Sequence, residues 1–281
     1  MLATVGDLVD DIVVRFSGSI QLASDTHALI ERRRGGSAAN VAAVAGRISG
    51  ASRFLGQVGD DALGDRLLAE LTDDAVDIAA VRRRGRTGSI VVLVDSSGER
   101  SFLTDPGDER ELDHPQPAWL DGVDVLHVPL YSLGAGAIAA TSRTLIDWSH
   151  SRQIAVSIDV SSVSVIEALG VGTVRTMVER LAPDVLFANA DEARVMGIDA
   201  AMAAAITVVK RGAGSATVLR ESAEPVDVPA SAVDAVDDTT GAGDAFAAGV
   251  LTYSGWREDP EAACEAGHAA AATLLRGRNK Q

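Results

Sequence analysis

The sequence predicts an α/β protein: a mainly parallel central sheet with helices on both faces, three layers in all, and a small β-sheet lid. Two observations carry this. Short strand-like apolar runs alternate with alanine-rich amphipathic stretches through most of the chain, the pattern of a parallel sheet covered on both faces. Two other stretches hold strand-like runs with no helical run between them, which suits a separate accessory sheet. Length and composition permit this architecture, because 281 residues with 47% apolar and 23% charged side chains can bury a large core.

Taken in order, LATVGDLV reads as a buried opening strand closed by Gly6, Asp7 and further acids. From Asp11 to Arg34, apolar stretches split by SGS and SD suggest a hairpin-like excursion. SRFLGQV is the next strand, and GSIVVLVD and ERSFLTD around the turn Ser96–Gly98 form a second hairpin. VDVLHVPL, QIAVSID, PDVLFAN and AITVVKRG continue the strand series, and AAMAAAI (Ala200–Ile206) and HAAAATLL (His268–Leu275) read as helix formers. There is no internal repeat, heptad run or low-complexity linker. The whole chain, 1–281, therefore reads as one domain with lid segments at about 12–34 and 78–105.

Charge and cysteine usage exclude several classes. Twenty-five Lys and Arg against 40 Asp and Glu give a formal charge of −15, which argues against nucleic acid or an anionic membrane surface as partner. A polyanionic substrate needs a local pocket of positive potential. Cys264 is the only cysteine, so no intramolecular disulfide forms, and a small apolar role in a helix is expected of it. No apolar run reaches the roughly 20 residues of a membrane span, and the start lacks a basic region and cleavage site, so a cytoplasmic protein is expected. The five histidines are scattered without metal-ligand spacing, and neither HExxH nor GxxxxGK[ST] occurs.

Two glycine-led stretches carry the chemistry. In DDTTGAGDAFAAGVL, Gly241 and Gly243 free the backbone where a helix starts, and unpaired N–H groups at a helix start make an anion site. Asp244 lies in its first turn, where two readings stand: an acid that favours the helix dipole, worth about 0.3–1 kcal/mol, or a base beside a phosphate. In RGGSAANVAAVAGRISG, Gly35 and Gly36 precede a second alanine-rich helix. There Ser37 reads as a helix cap, or Gly36 admits a ligand and Asn40 offers it a donor and an acceptor.

Together these segments resemble the ribokinase-like, or PfkB, carbohydrate kinase family. GGSAANVA, with Ser49 and Gly59 beyond it, matches the first signature, and DTTGAGDAFAAGVL, Asp238–Leu251, matches the second at every constrained position. The resemblance runs from Gly6 to about Gly277. It implies a ribokinase-like three-layer α/β/α domain whose activity is transfer of the γ-phosphate of ATP to a hydroxyl of a small sugar, with Mg²⁺ and in many relatives K⁺. Asp244 matches the catalytic base, and Gly241, Ala242 and Gly243 match the anion hole. Asp11, in GDLVDD after Gly6, matches the acid that binds acceptor hydroxyls, and Gly36 and Asn40 match further acceptor contacts. Asn189 and Glu192 resemble the NxxE motif of the magnesium and phosphate region, although NADE also reads as an N-cap followed by acids. Lys210 and Gly212 resemble the segment near the ATP phosphates. Asp238 and Thr240 resemble positions that hold a monovalent cation, and the lid allows pairing into a homodimer.

The chain departs from the family pattern at three places: Ser215 follows Gly214 where a second glycine is frequent, Val160–Ser162 follow Asp159 where a Pro-Asn pair is frequent, and Arg34 replaces a frequent proline. Arg32, Arg33 and Arg34 read either as a solvated lid edge or as positive charge for a phosphorylated sugar. Three other functions compete. A nucleoside kinase of the same family fits GGSAAN equally well, but the few aromatics favour a sugar. An NAD-dependent dehydrogenase is suggested by Gly134, Gly136 and Ala139 before QIAVSID, yet Pro129–Leu133 intervene where a tight turn is required. A non-catalytic sugar-binding protein would have no need of Asp244.

Overall fold

The computed structural model describes residues 1–96, 99–233 and 238–278. The chain opens with β1 (Leu2–Val5) and passes into β2 (Val9–Phe16), which turns back into β3 (Ala28–Gly35). Helix α1 (Ser37–Ser49), β4 (Ser52–Leu55), β5 (Gln57–Val58), α2 (Ala62–Asp73), β6 (Val76–Asp77) and β7 (Arg82–Arg83) follow, then β8 (Ser89–Val94) and β9 (Arg100–Asp105). The remainder alternates: β10 (Val125–Pro129), α3 (Tyr131–Gly134), α4 (Ala137–Ser151), β11 (Ala155–Asp159), α5 (Val163–Leu169), α6 (Val171–Leu181), β12 (Val185–Asn189), α7 (Ala190–Met196), β13 (Ile206–Lys210), β14 (Ser215–Arg220), β15 (Val226–Pro229), α8 (Ala242–Thr252) and α9 (Pro260–Arg278).

The central sheet runs β15-β14-β13-β12-β11-β10-β1-β4-β6. From β6 to β13 every pairing is parallel, and β14 and β15 add an antiparallel edge. Strand alternation builds the three layers. Leu126, Val128, Val156, Ile158, Leu186 and Ala188 face one core with Leu145, Ile146, Val174 and Val178 of α4 and α6. Val125, Ala155, Val185 and Phe187 face the other with Val41 of α1 and Phe246, Val250 and Cys264 of α8 and α9. Cys264 is fully buried, and burial pushes its thiol up to about 12, so it behaves as a small apolar residue.

The lid is the sheet β3-β2-β8-β9. Strand β2 pairs antiparallel with β3 and parallel with β8, and β8 pairs antiparallel with β9. Strand β2 starts as early as Val9, because Asp10 at its base is buried between Arg32 (2.7 Å) and Arg66 of α2 (2.5 Å). Residues 78–88 carry β7, which pairs with β5, so the second lid segment begins at Ser89. Part of the Ser96–Gly98 turn lies outside the described residues.

One expectation fails. Ala200–Ala205 is not helical: it crosses irregularly to the start of β13, where Ile206 is needed as a buried strand residue. Tertiary demand overrides alanine propensity there. Of the glycines that imitate a dinucleotide-binding turn, Gly134 ends α3 and Gly136 follows it, so no tight turn joins β10 to α4.

Candidate active site

The C-terminal ends of the parallel strands open into a cavity of about 800 Å³ whose wall includes Asp7, Asp11, Asn40, Asp159, Lys210 and Asp244. Ligands of open α/β sheets bind at such strand ends.

Two helix starts meet in it. Gly241 takes a left-handed conformation, φ 74°, immediately before α8, and Gly241, Ala242 and Gly243 line the cavity, with the Ala242 N–H donating to the Thr239 carbonyl at 3.1 Å. Helix α1 starts at Gly36, where φ is 99° and an added Cβ would lie 2.3 Å from the Asp7 carbonyl oxygen. No other residue fits there. Ser37 makes no capping hydrogen bond at the start of α1. Its Oγ instead donates to Asp244 Oδ1 at 2.8 Å, and Asn40 Nδ2 donates to Oδ2 at 2.9 Å. The two signatures of the sequence thus converge on one carboxylate. Burial pushes the Asp244 pKa up to about 6, against the two hydrogen bonds from Asn40 and Ser37 and the charge of Lys210, with Asp159 adding repulsion.

Around this pair stand the other expected residues. Lys210 at the end of β13 donates to Asp159 Oδ2 at 2.6 Å. Burial alone would lower its pKa, but the adjacent Asp159 outweighs it and keeps the ammonium charged. A Cβ at Gly243 would lie 3.3 Å from Lys210 Nζ, so the glycine lets this cation approach the loop. Gly212, φ 60°, lines the same wall. Asn189 and Glu192 form a reciprocal capping box on α7, and Asn189 Nδ2 also donates to Glu192 Oε1 at 2.6 Å. The cap reading is therefore correct as geometry, and both residues still line the cavity. Burial and then the charge of Asp159 push Glu192 up to about 7. Asp11 lies under β3, where the missing side chain of Gly35 makes room: a Cβ there would sit 2.2 Å from Asp11 Oδ1.

Besides Asp159 and the Ser37 contact, Asp7, Glu109 and Arg110 escaped the sequence reading. Asp7 is buried beside the start of α1, with Oδ1 unpaired within the protein. Glu109 Oε2 is likewise unpaired, and burial followed by the charge of Asp7 pushes its pKa up to about 8. Arg110 borders the same corner of the cavity. Asp7 follows Gly6 directly, so its place at a strand end was available as a signal; Glu109 and Arg110 sit in a 3₁₀ turn with no pattern around them.

The metal positions answer differently. Among the described residues no three His, Cys, Asp or Glu side chains converge as a metal cage. Glu192 accepts from Asn189 on both oxygens and Asp159 from Lys210 and Ser161, so magnesium, which keeps phosphate oxygens and water as ligands, would be held beside them through water. At Asp238, Arg33 donates to Oδ2 (2.6 Å), Arg100 donates to Oδ1 (2.9 Å), and Arg15 lies at 3.7 Å. Arg100 also donates to Thr240 Oγ1 at 2.8 Å. Three guanidiniums around one carboxylate do not fit an added monovalent cation on these oxygens.

A doubly covered parallel sheet, a glycine-led anion site and a buried carboxylate beside it define a phosphotransferase acting on an alcohol group. The pfkB family carbohydrate kinase model matches residues 1–281, and the chain belongs to that family. It is 35% identical over 274 residues to an ATP-dependent ribose-1-phosphate kinase of Halopiger xanaduensis, covering 91% of this chain and 85% of that protein. With a fructokinase of Vibrio alginolyticus it shares 29% identity over 248 residues, 80% of this chain and 79% of the relative. Among solved structures, an adenosine kinase from Sinorhizobium meliloti superposes with a TM-score of 0.84 at 22% identity, covering 98% of this chain and 93% of that one. A fructokinase with bound ATP from Xylella fastidiosa does so at 0.80 and 22%, covering 98% and 91%. The fold is ribokinase-like, and the activity is that of a sugar or nucleoside kinase.

Proposed function

We propose that the protein transfers the γ-phosphoryl group of ATP to a hydroxyl of a small sugar, with Asp244 as the general base. The observation that carries this reading is the Asp244 carboxylate itself, buried at the mouth of the Gly241–Gly243 amides and oriented on both oxygens by Ser37 and Asn40. At neutral pH a carboxyl with a pKa of about 6 is ionised and still basic enough to take a hydroxyl proton. The hydroxyl oxygen attacks the γ-phosphorus, the bond to the β–γ bridging oxygen breaks, and the proton passes to Asp244. The amides of Gly241 and Gly243, that of Ala242 once it leaves the Thr239 carbonyl, and the Lys210 ammonium stabilise the charge on the transferring group. Asp11, Gly36 and Asn40 bind the acceptor, and Gly212, Asn189 and Glu192 lie on the nucleotide side. Magnesium, held through water beside Asp159 and Glu192, would offset the phosphate charge.

The relatives' names span a free sugar, a sugar phosphate and a nucleoside. A nucleoside acceptor is the second reading, favoured by the fold match to an adenosine kinase. Phe102 on the lid and Tyr131 on α3 both line the cavity, so the sugar reading rests on the polar groups Asp11 and Asn40 rather than on a lack of aromatics. A homodimer through the lid belongs to the same proposal, supported by the exposed Leu29, Ile30 and Leu103 on its edge strands; sedimentation as a monomer at micromolar concentration would remove it. The test of the base is Asp244→Asn, which should retain ATP binding and lose turnover by roughly 10² to 10⁴-fold. Near wild-type turnover would sink the assignment.

A further inference from the structure

Beneath the lid the main cavity continues into a recess of about 80 Å³, sharing with it Asp11, Asn40, Phe102 and Thr240. Its wall carries four arginines, Arg15, Arg33, Arg34 and Arg100, against two carboxylates, Asp11 and Asp238. In a chain with a formal charge of −15 this gathers four guanidiniums in one wall, with Glu31 paired to Arg33 and Asp74 to Arg34 beside it. The lid register produces it. Asp11 pairs with Arg33 on one side and Ile90 on the other, and Arg15 and Arg100 both pair with Val94, so alternate residues turn all three arginines inward.

We propose that this recess holds a phosphate group already present on the acceptor, so that the substrate class is a sugar phosphate whose ester lies at the opposite end from the accepting hydroxyl. The inference rests on the kinase reading above. Arg15, Arg33 and Arg100 share the Asp238 carboxylate, Arg33 also donates to Glu31 at 2.6 Å and Arg100 to Thr240, and each guanidinium carries five N–H donors in a fork that matches phosphate oxygens. Arg34, paired with Asp74, keeps a buried Nε with no partner. The recess has room for about two or three waters at roughly 30 Å³ each, enough for one phosphate. Asn40 bonds Asp244 and also borders the recess, and Asp11 lines both spaces, so hydroxyl-binding groups stand between the base and the arginines. An acceptor that spans them presents a hydroxyl to Asp244, its ring hydroxyls to Asp11, and its phosphate to the lid. Transfer then yields a sugar bisphosphate and ADP, with the hydroxyl proton left on Asp244.

The competing role for these arginines is a latch that holds the lid to Asp238 whatever the acceptor. ADP release with ribose 1-phosphate, ribose, glucose 1-phosphate, glucose and adenosine separates the two. A sugar 1-phosphate should exceed its free sugar in kcat/KM by about 100-fold or more, in line with several charge-assisted hydrogen bonds. Arg15→Gln should raise KM for the sugar phosphate at least about tenfold more than it raises KM for the free sugar, with Arg15→Lys recovering part of the loss. Free sugar or adenosine turned over as well as any sugar phosphate, or equal KM changes for both acceptors in Arg15→Gln, overturns the phosphate site and leaves the kinase reading standing. If no acceptor releases ADP, the kinase reading fails, and calorimetric titration of ribose 1-phosphate against ribose without nucleotide decides the recess alone: equal or absent binding overturns it.

Discussion

At Asp244 the sequence left two roles open, and its hydrogen bonds favour the proposed base. An acid serving only the helix dipole would face solvent; this one is half-buried and bound by two donors from α1. Those donors favour the ionised form, so each lowers the pKa that burial raises. kcat/KM should therefore rise with pH through an acidic limb near 6 and then level off. Ser37→Ala removes one donor and should move that limb to higher pH; a limb at an unchanged position would show that Ser37 does not tune the base. The sequence singled out Asp244, Asn40 and the glycines because their spacing is local, and the fold sets them around one cavity. It missed Ser37 as a partner because the contact joins residues far apart in the chain and looks like an ordinary cap in one dimension. Glu109 and Asp7 were missed for the same reason: neither is unusual until the fold buries one against the other.

Among elements, α1 and α8 are the pair on which the site depends. Val41, Val44 and Ala45 of α1 share one core with Ala245, Ala247 and Ala248 of α8, and these compact side chains let the helices approach closely enough for groups at one start to reach the other. Helix α9 backs α8 at the same short range, since a Cβ on Gly249 would lie 2.6 Å from the Ala266 carbonyl oxygen. Gly36→Ala puts a Cβ into the Asp7 carbonyl at an unfavourable φ, a strain of about 1–3 kcal/mol. Its Tm should fall by several degrees and its kcat with it, read by thermal melts beside ADP release; an unchanged Tm would show that the backbone there relaxes freely. Strand identities were legible from apolar runs, and the lid hairpins from their turns. The Ala200–Ala205 stretch was misread because propensity is a local quantity, whereas its path is set by the distance between α7 and β13.

For the whole molecule, burial of several carboxyls in one cavity makes stability depend on pH. Glu109 and Glu192 are pushed up to about 8 and about 7, so each contributes stability that is full below its ordinary range near 4.5 and is lost as pH rises through the folded value. His127, buried and lowered from 6.5 to about 4, acts in the opposite sense, but only below about 6.5. From pH 6.5 to 9 the Tm should therefore decline, and Glu109→Gln should flatten that decline. A slope identical to wild type would show that Glu109 does not titrate in this window.

The lid is also wired to the base by the chain itself. Strand β3 ends at Gly35, and one residue later α1 begins with the serine and asparagine that hold Asp244. Swinging the lid away would draw on that junction and slacken both donors, leaving a carboxylate no longer aimed at an acceptor. An open enzyme would then be an idle one, unable to activate a stray water against bound ATP, and the hinge would double as a safety catch.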